Sequence, residues 1–194
     1  MALATPSRTS NTYPPLPTIV PHLEQVVDES PIARRPYIET ESVERIWKRY
    51  DSSIKTAVKR HRNVRPSQVY SMIYVESRGK PMIVSPKGAV GIMQLMPITQ
   101  KHLGMTRQEA LNPESSIMGG VRYYAELLRR YNNNEVLALA AYNMGPRKVD
   151  SLLRVNKWDT NVTYRDLRFK VNWETRHYIA DVMEKEGMIW EMFL

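Results

Sequence analysis

The run Pro66-Ser67-Gln68-Val69-Tyr70-Ser71-Met72-Ile73-Tyr74-Val75-Glu76-Ser77-Arg78-Gly79-Lys80-Pro81 reads as one helix and its end. Proline is tolerated in a first turn, where its missing N–H would be unpaired anyway. Val69, Met72, Ile73 and Val75 supply the inward face, and Gly79 with Pro81 stops the helix. At its close stands Glu76. From Ser77 through Gln108 there is no Asp or Glu, although Arg, Lys and side-chain amides are present. A carboxyl held against an apolar helix face has its pKa raised, because desolvation penalises the charged form. That is the state a general acid needs near neutral pH. The same residue could equally be a cap or a partner of Arg78 or Lys80, and taken alone that ordinary role is favoured.

Working outward, Ser85-Pro86-Lys87-Gly88 matches a turn with Pro at its second place, and Gly88-Ala89-Val90-Gly91 allows close backbone approach. Before the run, Val43, Ile46, Trp47, Tyr50, Ile54, Ala57 and Val58 recur at helical spacing. Arg45, Lys48, Arg49, Lys55, Lys59, Arg60, Arg62 and Arg65 fall mostly on the other face, which reads as a solvated one. Further helices are predicted at 97–103, 116–131, 135–143 and 173–186. Gly145-Pro146 reads as a stop, and 154–172 as a loop or short hairpin. Period-2 strands are absent, so the fold class is mostly α. Prolines at 14, 15, 17, 21, 31 and 36 break any helical period near the start. Residues 1–39 are therefore predicted to be an extended or disordered leader, and residues 40–194 the folded domain.

Composition narrows the functional classes. The chain has 194 residues, enough for one well-buried core and a tail. It has no cysteine, which excludes disulfides, thiolate metal sites and a Cys nucleophile. Its four histidines show no HExxH spacing, and no phosphate-binding glycine loop or GxSxG elbow occurs. Neither metal nor cofactor is expected. No apolar run reaches the roughly 20 residues that span a bilayer, and no secretory signal is visible. A formal net charge of +8 suggests an anionic partner without choosing between nucleic acid, lipid and an acidic polymer. Nucleic acid is disfavoured, since no recognised binding motif accompanies the charge.

Four blocks now stand in order. They are Tyr74-Val75-Glu76-Ser77, then Ser85 through Pro97 (Ser-Pro-Lys-Gly-Ala-Val-Gly-Ile-Met-Gln-Leu-Met-Pro). Ala138-Leu139-Ala140-Ala141-Tyr142-Asn143-Met144-Gly145-Pro146 and Glu174-Thr175-Arg176-His177-Tyr178-Ile179 follow. Across roughly residues 60–185 this series resembles the soluble lytic transglycosylase family, whose domain is similar to goose-type lysozyme. The resemblance implies a lysozyme-like α-helical domain with a cleft, and peptidoglycan glycan strands as partner. It implies Glu76 as the single catalytic acid/base. Ser85 and Gln94 would be polar cleft groups near the reacting sugar and Met93 an apolar wall, with Met96 in the core. Tyr142 and Asn143 would contact substrate and help position Glu76, and Tyr178 would line the same cleft. Glu174 and Arg176 are expected to form a structural ion pair.

The implied reaction cleaves the bond between N-acetylmuramic acid and N-acetylglucosamine and leaves 1,6-anhydromuramic ends. Its place would be the periplasm or cell envelope. A hydrolytic lysozyme of the same fold and a non-catalytic wall-binding module are the competing readings. Asp150 or Asp166 could also fold into reach as a second carboxyl. A secretion, conjugation or phage assembly partner could act through the leader. Ile92, where Leu is common, Met144 after Asn143, and the bulky basic Lys80-Pro81-Met82-Ile83 depart from the family's usual pattern. They bear on cleft shape and substrate preference.

Overall fold

A computed structural model describes residues 38–193, which belong to one helical unit. The expected leader up to residue 37 lies outside the described residues. Ile38 and Glu39 belong to the folded part: Ile38 is buried, and the Glu39 amide donates to the Tyr74 hydroxyl at 2.9 Å.

The elements are α1 (Thr40–Lys59), α2 (Pro66–Ser77), α3 (Pro97–Leu103), α4 (Arg107–Leu111), α5 (Pro113–Arg130), α6 (Glu135–Met144), α7 (Pro146–Asn156), α8 (Tyr164–Leu167) and α9 (Trp173–Phe193). No strand forms among the described residues, only isolated bridges pairing Val84 with Val90 and Val90 with Leu95. No described helix is long and apolar enough to cross a membrane.

The run from Pro66 forms α2, the centre of the fold. Residues 67–74 are buried on every side, because α2 packs against both α1 and α9. The buried polar side chains in this stretch, Ser67, Gln68 and Ser71, are all hydrogen-bonded. α1 lies along it as a one-sided helix, burying Val43, Ile46, Tyr50, Ile54, Ala57 and Val58. Full burial of an aliphatic side chain such as Ile46 or Ile54 stabilises the fold by about 1.5–3 kcal/mol. Trp47 departs from expectation. It sits at the border of the apolar stripe and is 41% exposed.

Most of the basic residues between Arg45 and Arg65 do face solvent; Lys48 and Lys55 pair with Glu44 and Asp51 one turn away. Arg65 is the exception. Its guanidinium reaches Glu135 on α6 at 2.7 Å and Glu186 on α9 at 2.9 Å, and Glu186 also accepts from the Ser67 hydroxyl at 2.8 Å. This half-buried network fixes the start of α2 against two neighbouring helices. Removing one partner of such a cluster leaves an uncompensated charge, which destabilises the fold.

Gly145-Pro146, expected as a stop, both ends α6 and begins α7, since Pro is well suited to a first helical position. The expected loop or hairpin over 154–172 contains instead the end of α7 and the short α8. Thr163 and Asp166 close the start of α8 reciprocally.

Candidate active site

Glu76 is the penultimate residue of α2, and the chain leaves the helix sharply behind it. Arg78 adopts φ 54° and Gly79 φ 74°. Gly79 is required there, because a Cβ would stand 2.6 Å from Ile46 Cγ1. The Arg78 guanidinium folds back over the Tyr74 ring, 3.9 Å from its centre. Ser77 is buried, and its hydroxyl donates to the Ile92 carbonyl at 2.8 Å. The end of α2 is thereby tied to the following loop.

That loop returns alongside. The Gly88 amide donates to the Ser85 carbonyl at 2.9 Å, closing the expected turn, and the Ser85 amide donates to Ala89 at 2.8 Å. The Ser85 hydroxyl accepts from the Ala89 amide at 3.0 Å. Gln94 takes φ 48°, and its Nε2 donates to the Gly91 carbonyl at 2.9 Å. The side-chain amide nitrogen is thus committed to the loop, and no described group donates to the Gln94 carbonyl oxygen.

Glu76, Ser85, Gln94, Tyr142 and Asn143 all border one cleft of about 900 Å³. The Tyr142 hydroxyl donates to the Met93 carbonyl at 2.9 Å, and its ring lies 5.5 Å from Tyr123 and 6.3 Å from Tyr124. Asn143 Oδ1 accepts from the Thr175 hydroxyl at 2.7 Å. Its amide nitrogen is thereby oriented. Tyr142→Phe should leave the buried Met93 carbonyl short of its donor. It should cost about 1–2 kcal/mol in urea unfolding and lower kcat about tenfold through a displaced cleft wall.

Two expected cleft residues lie elsewhere. Met93 is fully buried in the core, where its side chain fills the space that a Cβ on Gly120 would need. Met96, expected in the core, borders the cleft instead. Tyr178 is 6% exposed and sits behind Glu76. Its hydroxyl is near enough to favour the charged form of the carboxyl but outside the geometry of a formed hydrogen bond.

Glu174 does not pair with Arg176, because residues two apart point to different sides of a helix. It pairs with Lys87, joining the turn at 85–88 to the first turn of α9. Glu174, Thr175 and Lys87 are cleft residues that the sequence did not single out as such. The signal for the first two lay in the Glu-Thr-Arg block itself.

The electrostatics are uneven. Glu76 presents one edge to the cleft while protein surrounds its carboxyl, and the pKa rises from 4.5 to about 8. Burial is the main cause; the Glu174 carboxylate adds to it, and Tyr178 opposes it. The hydroxyls of Tyr142 and Tyr178 are pushed well above their ordinary range, chiefly by burial and then by Glu76. Both remain neutral donors at physiological pH.

Glu126, Asp150 and Asp166 are each engaged elsewhere. Glu126 is held by His102 at 2.7 Å and Arg122 at 3.0 Å. Asp150 binds Arg130 at 2.6 Å and accepts from the Tyr131 hydroxyl at 3.0 Å. Asp166 closes the start of α8. Among the described residues, no group of three or more His, Asp or Glu side chains could hold a metal ion.

A mostly helical domain with a buried acid at the edge of a cleft is the lysozyme-like plan, and comparison with known proteins gives the same answer. The family model described as Transglycosylase SLT domain matches residues 53–164, more than half of the chain. The chain belongs to this family. The soluble lytic murein transglycosylase of Salmonella typhimurium is 33% identical over 129 residues, covering 60% of this chain and 20% of that protein. The transglycosylase of Enterobacteria phage PRD1 is 40% identical over 88 residues, covering 45% of this chain and 32% of that protein. Among solved structures, the 70-kDa soluble lytic transglycosylase of Escherichia coli superposes with a TM-score of 0.67 at 26% identity. It covers 78% of this chain and 26% of that one. The chain thus spans between 20% and 32% of the length of these two curated relatives.

Proposed function

We propose that this chain is a peptidoglycan lytic transglycosylase with Glu76 as its single acid/base. The carrying observation is the Glu76 carboxyl itself, enclosed by protein at the edge of the cleft with its pKa raised to about 8. At neutral pH it is protonated and able to donate. Family membership supports the reaction class.

In the mechanism, Glu76 gives its proton to the glycosidic oxygen between N-acetylmuramic acid and N-acetylglucosamine. The C1–O bond breaks and the leaving sugar departs as an alcohol. The resulting carboxylate takes the proton from the C6 hydroxyl of the muramoyl residue, and that oxygen bonds to C1. A 1,6-anhydro ring closes, Glu76 recovers its proton, and no water is consumed. Most glycosidases need two carboxyl groups. Here Glu126 and Glu174, the other described acids of the cleft, stand in ion pairs with Arg122 and Lys87, which suits a one-acid cycle. Ser85, Gln94, Tyr142 and Asn143 supply uncharged hydrogen-bonding groups matched to the hydroxyl and acetamido groups of a hexosamine.

The substrate assigns the enzyme to the cell envelope. Relatives include a transglycosylase of a phage and proteins described as membrane-bound lytic murein transglycosylases. Mass spectrometry of fragments released from purified peptidoglycan tests the reaction. Anhydro ends, one water lighter than reducing ends, are expected. Reducing ends would identify a hydrolase of the same fold, and no release by folded protein would leave a binding module.

A further inference from the structure

The bulky basic run Lys80-Pro81-Met82-Ile83, where this chain departs from the family's usual pattern, lines no part of the cleft. It forms one wall of a second groove of about 510 Å³, and Arg45 and Arg49 of α1 form the other. The two hollows share no lining residue. The loop wall is held at both ends. The Lys80 amide donates to the Ser77 carbonyl at 3.0 Å, and the Ile83 carbonyl accepts from the Gly91 amide at 3.0 Å. Between them Pro81 restricts the backbone. In this fixed loop Met82, Ile83 and Val84 are 67%, 37% and 48% exposed. Adjacent large apolar side chains held in water forgo the stabilisation of burial, and such a patch marks an interaction surface.

The charges lining the groove have one sign. Among the described residues, no carboxylate lies within ion-pair distance of Arg45, Arg49 or Lys80. The Arg45 guanidinium donates instead to two neutral groups, the Ser42 hydroxyl at 2.8 Å and the Arg78 carbonyl at 3.3 Å. Beyond Arg49, the exposed Ser52, Thr56 and Lys59 continue the same flank of α1 at helical spacing, and none is acidic. We infer that this groove and its loop dock the protein onto the surface of an anionic phospholipid bilayer. Met82 and its neighbours would enter the headgroup boundary while the cations face lipid phosphates. A soluble polyanion would satisfy the cations but leave Met82 in water; a bilayer interface takes both. The contact is peripheral, since no described helix is long and apolar enough to cross a membrane. It does not occupy the cleft, and it does not depend on the reaction proposed there.

Co-sedimentation with vesicles tests this on the full chain. One set of vesicles is phosphatidylcholine alone, the other equal parts phosphatidylcholine and phosphatidylglycerol. At low salt the protein is expected to partition at least about tenfold more strongly onto the anionic set, and salt should weaken the preference. Arg49→Ala/Lys80→Ala should lower anionic binding about tenfold. Met82→Ser should lower it about threefold while leaving retention on soluble polyglutamate unchanged. All three side chains are exposed, so thermal unfolding of the variants should match the parent, which separates lost docking from lost fold. Equal binding to both vesicle sets, or binding to neither, overturns the inference. Anionic binding that survives the double substitution does so too, because the contact then lies elsewhere. Vesicle binding indifferent to Met82→Ser would assign the groove to an acidic polypeptide instead of a bilayer, and equally overturns it.

Discussion

Glu76→Gln is expected to reduce cleavage of peptidoglycan by at least about a thousandfold while the protein remains folded. A positioned acid/base contributes about 10²–10⁴ in rate, and one group serving both half-reactions places the loss toward the upper end. Substantial residual activity in purified variant would remove Glu76 from the mechanism. The parent enzyme's pH profile should show the same group. With a pKa of about 8, the donor form is lost as pH rises through that value, so kcat/KM should fall about tenfold per pH unit beyond it.

Stability should respond in the opposite sense to that of a typical paired carboxylate. Glu76 binds its proton more tightly folded than unfolded, so the folded state is penalised progressively as pH rises from 4.5 toward 8. The Gln variant has no such penalty. It should exceed the parent in stability at pH 9, on the order of 2 kcal/mol after allowing for water in the cleft, and match it near pH 4. Thermal unfolding at the two pH values checks this. An equal shift at both would trace the effect to packing instead.

Gly91→Ala should be the most damaging small substitution in the loop. Gly91 has φ 79°, and a Cβ there would lie 1.9 Å from the Ala110 carbonyl oxygen and 3.1 Å from the Ser116 hydroxyl. The left-handed backbone alone costs about 1–2 kcal/mol for an alanine. Displacing a backbone carbonyl at the end of α4 adds overpacking of about 1–3 kcal/mol. Gln94 is bonded to the Gly91 carbonyl, so the cleft should suffer with the fold. Gly88→Ala provides the comparison. Gly88 has φ 86°, but its Cβ would meet only Pro97, at 4.0 Å. Urea unfolding should show a loss of about 3 kcal/mol or more for Gly91→Ala and about 1 kcal/mol for Gly88→Ala. Equal losses would mean that backbone conformation, not the contact with α4, sets the requirement.

The helices that were legible in the sequence are those with a strong local cause. α2 and α3 start at a proline, α1 shows a helical apolar period, α6 was placed to within a residue, and α5 and α9 have ends that moved by a few residues or more. α4 and α8 are only a turn or so long, held by a Thr with Glu109 or Asp166 at their starts. Too few residues take part for a period to show. α7 was hidden by Gly145-Pro146, a pair that punctuates equally well as an end or a beginning.

The acid-bearing helix end and the polar blocks were readable because each is a contiguous run with its own chemistry. Which way a loop side chain points is not a local property. Gln94 at φ 48° turns the chain between Met93 and Met96, and packing against Gly120 takes Met93 inward while Met96 is left at the cleft. Ion pairing escaped for the same reason. Glu174 met Lys87 and Arg65 met Glu186, partners separated by 87 and 121 residues. By itself, then, the sequence determined a mostly helical domain with one acid at the end of an apolar helix, through residue spacing and local backbone preference. Only the tertiary structure decided that this carboxyl is buried enough to hold its proton, which residues share its cleft, and which charges are paired across it. Burial and charge balance depend on neighbours that only folding brings together.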